Sequence, residues 1–497
     1  MTFRHDPVPR HEAAVPPEWL AAGRDAPWRE LSACVAGIGV SGMAAADVLL
    51  RLGAQVTVVD GRDGDTEHER AADLVSRGAR VRLGDATGWP EGTQLVVTSP
   101  GWRPDAPLLV AAQAAGIPVW GEVELAWRLR PAGPDATAAP WLALTGTNGK
   151  TTTVRMLTAM LSAAGHHAVA AGNVGTPLLD AVLADPPYDV LAVELSSFQL
   201  HWADSVRPYA GALLNLAPDH LDWHGSMAAY AADKVRVWGG DGRAVFNADD
   251  PATVDLVADR PGAVGFTLGV PGPGQLGVSD DALVDRAFVR DPAGSPVTLA
   301  AIGDVQPAAP HNVANALAAA ALARAYGVGP EAVAEGLRRF VPEPHRITVV
   351  AEADGVRWVD DSKATNTHAA ESSIAAYERV VWVAGGLAKG ASFDGLVRAA
   401  AGRLAGAVLL GADRAAVRDA LARHAPAIPV REVTTTEDGA MTEVVRAAAA
   451  LARPGDVVLL APACASMDMF RDYGVRGDAF ADAVRAHLGT GRPGGSR

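Results

Sequence analysis

Short apolar runs of Val, Leu, Ile and Ala recur along the whole chain, and most of them end on glycine or on a polar residue that opens a helical stretch. Their apolar residues do not alternate with polar ones, so both faces of each strand must be covered. Strands of this kind, separated by helices, demand parallel sheets with helices packed on them, an α/β fold. One series comprises ACVAGIGVSG (33–42), QVTVVD (55–60), QLVVTSPG (94–101) and IPVWGEVELAW (117–127). Its first helix is expected to end at Gly53. A second series opens at WLALTG (141–146) and runs through YDVLAVELSSFQL (188–200), YAGALLNLAPDHLD (209–222) and AVFNADD (244–250). Residues 268–300, rich in Gly and Pro, predict short strands and loops, and 311–327 a helix capped by Gly327. A third series follows, with RVVWVAGG (379–386), AGAVLLGA (405–412), IPVREV (428–433) and DVVLLAPA (456–463).

PAGPDATAAP (131–140) lacks any period and reads as a linker, and FVPEPHR (340–346) as a hinge. A net charge of −14 over 497 residues argues against a nucleic-acid binder. Two cysteines give no disulfide framework. No apolar run reaches the ~18 residues of a membrane span. The first residues hold no apolar secretory core, so a soluble cytoplasmic protein is expected.

The 43 basic residues include only four lysines, Lys150, Lys234, Lys363 and Lys389. In a composition that drifts surface cations to arginine, a lysine persists where its compact, deprotonatable ammonium cannot be imitated. Lys150 lies in LALTGTNGKTTT, a strand, a glycine loop and a helix start. Backbone N–H groups of Gly146, Thr147, Asn148 and Gly149 can cradle phosphates, Lys150 can neutralise them, and Thr151 or Thr152 can hold Mg²⁺. The loop is shorter than the common spacing, since Leu144 stands six residues before the lysine. Glu194 closes a buried-looking strand, where a nucleotide metal is held beside such a loop. His220 in DHLD is expected to end another strand of that sheet. Asp233-Lys234 lies on a helical stretch, where a lysine is ordinarily a solvated surface residue.

Gly37-x-Gly39-x-x-Gly42 with Asp60 closing the next strand fits a diphosphate at a helix N-terminus. Pro344-His345-Arg346 puts an arginine on the hinge, where it can clamp a phosphate. DDSKATN (360–366), GGLAKGASF and APACASMDMF (461–470) all follow strands, at the ligand-binding edge of an α/β sheet. Cys464 in the last has no evident histidine partner and reads as a small packed residue. The glycine fingerprint alone would also suit an NAD-dependent oxidoreductase, which leaves GTNGKTTT unexplained.

Taken together, GIGVSG, TSPG, GTNGKTTT, GNVG (172–175), ELSSFQL, DHLD with Lys234, NADD, HNVANA, PHR, DDSKATN and PACASMD resemble the Mur ligase family in order and content, over about residues 33–480. ELSSFQL, DSKATN and PACAS point within it to the D-glutamate-adding branch; a sibling ligase with another amino acid, or a folate polyglutamate synthetase, is the alternative. The resemblance implies three domains. These are a Rossmann-like UDP-substrate domain (31–132) after a mobile tail (1–30), a central P-loop-type ATPase domain (133–343), and a C-terminal Rossmann-like domain (344–490). It implies ATP-dependent ligation of D-glutamate to UDP-N-acetylmuramoyl-L-alanine through an acyl phosphate, by a monomer. Val40, Ser41, Asp60, Arg62, Ser99, Gly101, Asn173 and His220 would hold the UDP substrate. Gly146 to Thr152, Asn312, Arg346 and Asp361 would bind ATP, with Lys150, His220, Lys234 and Arg346 as the catalytic groups. Thr151, Glu194, His220 and Lys234, the last as an N-carboxylated (carbamate) side chain, would hold two Mg²⁺ ions. Lys363, Thr365, Lys389, Ser466, Met467 and Tyr473 would surround D-glutamate. One departure is Leu387, where some relatives carry an acid.

Overall fold

The computed structural model describes residues 23–131, 138–289, 295–435 and 439–489. The linker expected over 131–140 and the tails expected at both ends lie largely outside the described residues.

The backbone forms two compact units, the first reaching Phe340 and the second beginning at Val341, inside the proline-rich stretch 340–346. The first unit carries two sheets. One has five parallel strands: β1 (Ser32–Ala36), β2 (Gln55–Asp60), β3 (Arg80–Leu83), β4 (Leu95–Thr98) and β5 (Val119–Gly121), in the order β3-β2-β1-β4-β5. Val35 pairs with Val58 on one side and Val97 on the other. Chain direction through the sheet therefore reverses at β1, and a crevice opens beyond its carboxyl end. The helix Val40–Arg51 starts there, and Gly53, at φ 87°, ends it as expected.

The larger sheet runs β14-β13-β12-β11-β10-β9-β6-β8-β7. Its strands are β6 (Trp141–Thr145), β7 (Ala168–Gly172), β8 (Val190–Glu194), β9 (Ala210–Leu213), β10 (Arg243–Asn247), β11 (Val264–Phe266), β12 (Gln275–Ser279), β13 (Ala282–Asp285) and β14 (Val297–Ala301). Strands β7 to β12 are parallel, and β13 and β14 close the edge as antiparallel neighbours, the short strands expected of 268–300. Strand β6 is fully buried, as its unbroken apolar run requires, and lies between β8 and β9, with Leu144 opposite both Glu194 and Ala212. This is the second reversal point, and the phosphate-type loop leaves the sheet there. The helices Lys150–Ala163, Pro310–Ala325 and Pro330–Arg339 cover one face through Val154, Leu157, Leu317 and Val333.

The second unit holds one sheet, β15 (Thr348–Ala353), β16 (Val356–Asp360), β17 (Val380–Gly385), β18 (Leu404–Leu410), β19 (Val430–Glu432) and β20 (Val457–Leu460), in the order β15-β16-β20-β17-β18-β19. Only β15 is antiparallel to its neighbour. Asp360, Gly385 and Leu460 end adjacent strands, so DDSKATN, GGLAKGASF and PACASMD emerge along one edge. No helix among the described residues is long and apolar enough to cross a membrane.

Candidate active site

The loop after β6 is locked from outside by asparagines. Asn215 Oδ1 accepts from the Asn148 N–H at 2.9 Å, and Asn215 Nδ2 donates to the Asn148 carbonyl at 3.1 Å. Gly149 sits at φ 83°, and a Cβ there would lie 2.3 Å from Asn315 Oδ1, so glycine is required twice over. Asn315 in turn donates to Asn312 Oδ1 at 3.3 Å. Thr147 Oγ1 donates to the Ala217 carbonyl and lies 3.1 Å from Tyr230 Oη. Thr151 and Thr152 are buried in the first helical turn.

Two lysines reach this loop. Lys150 Nζ donates to the carbonyls of Gly146 and Thr147 at 3.0 and 2.9 Å. Lys234 Nζ donates to the same Gly146 carbonyl at 2.8 Å and to Thr145 Oγ1 at 3.3 Å. Lys234 is 1% exposed, so the helix Met227–Val235 aims it into the protein rather than at solvent. Burial, reinforced by the Lys150 charge, holds its pKa well below the ordinary 10.5.

Glu194 ends β8 as expected and is fully buried. Its Oε1 accepts from Asn173 Nδ2 at 2.8 Å, and the Asn173 N–H donates to the Glu194 carbonyl at 2.9 Å. Its Oε2 is buried without a hydrogen-bond partner. A desolvated carboxylate oxygen of that kind suits a cation. Among the described residues no three His, Cys, Asp or Glu side chains are grouped to hold a metal. Any ion here would therefore need hydroxyl, phosphate or carbamate oxygens as well.

His220 does not end β9, which stops at Leu213. It lies beyond, in a left-handed conformation at φ 52° that starts the short helix Leu221–His224. Burial of its ring against Phe198, with the Lys150 and Lys234 charges, lowers its pKa, although 43% of the side chain still faces open space.

In the smaller sheet Gly37, at φ 105°, lets the Ser99 turn approach, since a Cβ would lie 2.6 Å from Ser99 Oγ. Ser99 Oγ is buried and unpartnered. Asp60 is consumed internally: its oxygens accept from the N–H groups of Ile38 and Arg62 and from the Arg62 guanidinium. Those bonds outweigh burial and hold its pKa below the ordinary value. Beside it a cavity of about 490 Å³ is lined by Asp60, Gly61, Gly101, Trp102 and Arg103, among others. Val40 is 74% exposed, whereas Ser41 hydrogen-bonds the buried Glu122 carboxyl.

In the second unit Lys363 Nζ lies 3.8 Å from the centre of the Tyr473 ring, a cation–π contact. Ser362 Oγ donates to the Tyr473 carbonyl at 2.7 Å. Arg476 was not anticipated. It is fully buried and donates to Ser362 Oγ, to the Ser362 carbonyl and to the Cys464 carbonyl at 2.9, 2.8 and 3.1 Å. One guanidinium thereby ties DDSKATN to PACASMD, and burial pushes its pKa down to about 10. Ser466 is buried, Thr365 half-buried, and Met467 and Lys389 are exposed, Lys389 at φ 49°. Cys464 is a packed residue as expected, its thiol pushed up to about 12 by burial. Asp361 accepts from Ser373 Oγ, and burial raises its pKa to about 6. Arg346 Nε pairs with Glu343 at 3.1 Å.

The matching family descriptions are the Mur ligase MurD-like N-terminal domain over residues 32–121, the Mur ligase middle domain over 144–323 and the Mur ligase glutamate ligase domain over 345–464. The chain belongs to the Mur ligase family. It is 62% identical to the UDP-N-acetylmuramoylalanine--D-glutamate ligase of Streptomyces coelicolor over 91% of this chain and 97% of that one. It is 63% identical to the ligase of the same name from Thermobifida fusca, over 92% and 98%. Among solved structures it resembles a MurF from Acinetobacter baumannii (TM-score 0.55, 18% identity, 86% of this chain and 90% of that) and a UDP-N-acetylmuramate-alanine ligase from Thermotoga maritima (0.53, 18%, 92% and 100%). These two share the fold.

Proposed function

We propose that this chain joins D-glutamate to UDP-N-acetylmuramoyl-L-alanine at the expense of ATP, in peptidoglycan precursor synthesis, as a cytoplasmic monomer divided at 31–132, 133–343 and 344–490. The alanyl carboxylate attacks the γ-phosphorus of ATP, and ADP leaves. The amine of D-glutamate then adds to the acyl-phosphate carbon, and phosphate departs from the tetrahedral intermediate. Little of this asks for covalent help from the protein; it asks for charge control, because a carboxylate must meet a triphosphate.

One observation carries the reading: Lys150 and Lys234 both donate to the Gly146 carbonyl of the phosphate-type loop, and Glu194, with its unpartnered oxygen, ends the strand paired beside the one that leads into that loop. Gly146 to Thr152 and Asn312 are assigned to ATP, with Lys150 on its phosphates, and Arg346 and Asp361 are assigned to ATP as well. Mg²⁺, held by Thr151, Glu194, His220 and Lys234, would screen the facing negative charges when bound. Lys234 as an ammonium would oppose a cation. Its depressed pKa favours the neutral amine, which alone reacts with CO₂ to give an anionic carbamate. The cavity beside Asp60, with Val40, Arg62, Ser99 and Gly101, is assigned to the UDP group, and Asn173 and His220 to the muramoyl end. Ser41 is kept in that set despite its bond to Glu122. Lys363, Thr365, Lys389, Ser466, Met467 and Tyr473 are assigned to D-glutamate.

The choice of amino acid rests on the named relatives. Release of ADP and phosphate is to be measured with each candidate amino acid and UDP-N-acetylmuramoyl-L-alanine. Turnover with D-glutamate is expected, and turnover only with another amino acid would replace this reading by a sibling ligase.

A further inference from the structure

Ser197, His224, Asp233 and His201 form a chain of hydrogen bonds beside Lys234. Ser197 Oγ lies 2.9 Å from His224 Nε2, and His224 Nδ1 lies 3.0 Å from Asp233 Oδ2. His201 Nδ1 lies 3.0 Å from both Asp233 oxygens. A carboxylate only accepts, so each imidazole donates from Nδ1, and His224 Nε2 is left to accept from the serine hydroxyl. Ser197, His224 and Asp233 are all buried, and Arg236 Nε stands 3.6 Å from Asp233.

The order Ser–His–Asp is that of a hydrolase relay. A nucleophile must meet an acyl group, however, and here the rings of Phe198, Trp223 and Tyr230 enclose His224. The chain is instead a brace between three segments. Ser197 and His201 lie on the helix that follows Glu194, His224 on the helix that follows His220, and Asp233 immediately precedes Lys234. Three of the four side chains assigned to the metal, Glu194, His220 and Lys234, thus run within a few residues into the brace.

Successive helical residues are fixed at about 100° to one another, so Asp233 and Lys234 cannot rotate independently. Holding Asp233 from two sides sets the azimuth of the Met227–Val235 helix, and with it the direction of the longer Lys234 arm. A displacement of about 1 Å at such a group costs up to about 100-fold in rate.

We propose that Ser197, His201, His224 and Asp233 are positioning residues that aim the Lys234 amine for carbamate formation and hold the carbamate in place. The step is a bond from Lys234 Nζ to the carbon of CO₂, with one C=O electron pair moving to oxygen and one N–H proton passing to water. This rests on the carbamate reading of Lys234 given above.

The test uses the full-length protein, ¹³C-bicarbonate and carbon NMR, with steady-state kinetics and melting curves alongside. Wild type is expected to show a carbamate resonance, absent in Lys234→Arg. Asp233→Asn is expected to lower carbamate occupancy about tenfold at a given bicarbonate concentration, within the range seen for residues that support a metal ligand. Its kcat falls in step, while KM for D-glutamate stays unchanged. Ser197→Ala, which removes one hydroxyl and decides the matter should Asp233→Asn fail to fold, is expected to shift the same way less far and to recover at high bicarbonate. Wild-type resonance and kcat in folded variants would overturn the inference, as would loss of kcat with an unchanged resonance. Absence of the resonance in wild type would instead remove the carbamate reading, and the inference with it.

Discussion

Lys150 and Lys234 donate to one and the same oxygen, the carbonyl of Gly146, at 3.0 and 2.8 Å. Burial, and after it the repulsion between two ammonium groups sharing an acceptor, pull the Lys234 pKa well below its ordinary value and favour the neutral amine. A guanidinium has no such escape. Lys234→Arg is therefore expected to abolish ligation, by at least about 100-fold, while circular dichroism shows an intact fold. Substantial activity in that variant would mean that the lysine has no special part.

Glu194→Gln separates stability from function. The carboxylate is fully buried and one oxygen lacks a partner, so its charge is a cost in the unliganded protein. The neutral amide is expected to leave the melting temperature unchanged or to raise it. Activity should fall by about 100-fold or more if Glu194 holds the proposed cation, which would lose its anionic ligand. A fall in both would point to a purely structural carboxylate.

Asp361 gives the second unit a pH signature. Its pKa rises from 3.8 in the unfolded chain to about 6 in the fold, chiefly through burial. The folded state therefore binds the proton more tightly. The associated stability is complete below about pH 3.8 and is lost as pH rises through 6. Asp361→Asn removes the penalty, so it should stabilise the protein at pH 7.5 by about 3 kcal/mol and have little effect at pH 4. Urea melts at the two pH values check this; equal effects at both would contradict it.

Arg476→Ala deletes three donated hydrogen bonds from a buried guanidinium. A loss of about 3 kcal/mol is expected, along with a raised KM for D-glutamate, because Lys363 and Ser466 leave the two loops it joins. Arg476→Lys should recover part of the stability, since an ammonium cannot present the planar fork. Calorimetry and initial rates decide, and an unchanged KM would confine Arg476 to stability.

What could be read in the residues and what could not divide along physical lines. The loop at Gly146–Lys150 was legible because its chemistry is local: a strand, glycines and one lysine within a few positions. The fully buried strands β6, β17 and β20 were legible from their apolar runs. Strand β7 (AVAAG) was not, since alanine and glycine carry little strand preference and only β8 beside it makes it a strand. His220 was expected at a strand end because β9 continues apolar into Leu214, although pairing stops at Leu213. Arg476 and Ser362 stand 114 positions apart, and no periodicity announces a partner at that distance. The burial of Lys234 was equally hidden, because only the packing of neighbouring helices decides which way a helical lysine points. What the composition did offer was rarity. Seven asparagines survive, and four of them (148, 215, 312 and 315) are hydrogen-bonded in or behind the loop after β6.

Those amides have a kinetic meaning. Asn215 and the helix bearing Asn315 hold the loop from behind, so its shape exists before any triphosphate arrives. A mould that is already set charges no ordering entropy at the moment of capture. Nucleotide should therefore dock in a single fast phase whose rate follows ionic strength, and analogues with fewer phosphates should differ from ATP in how long they stay rather than in how quickly they enter.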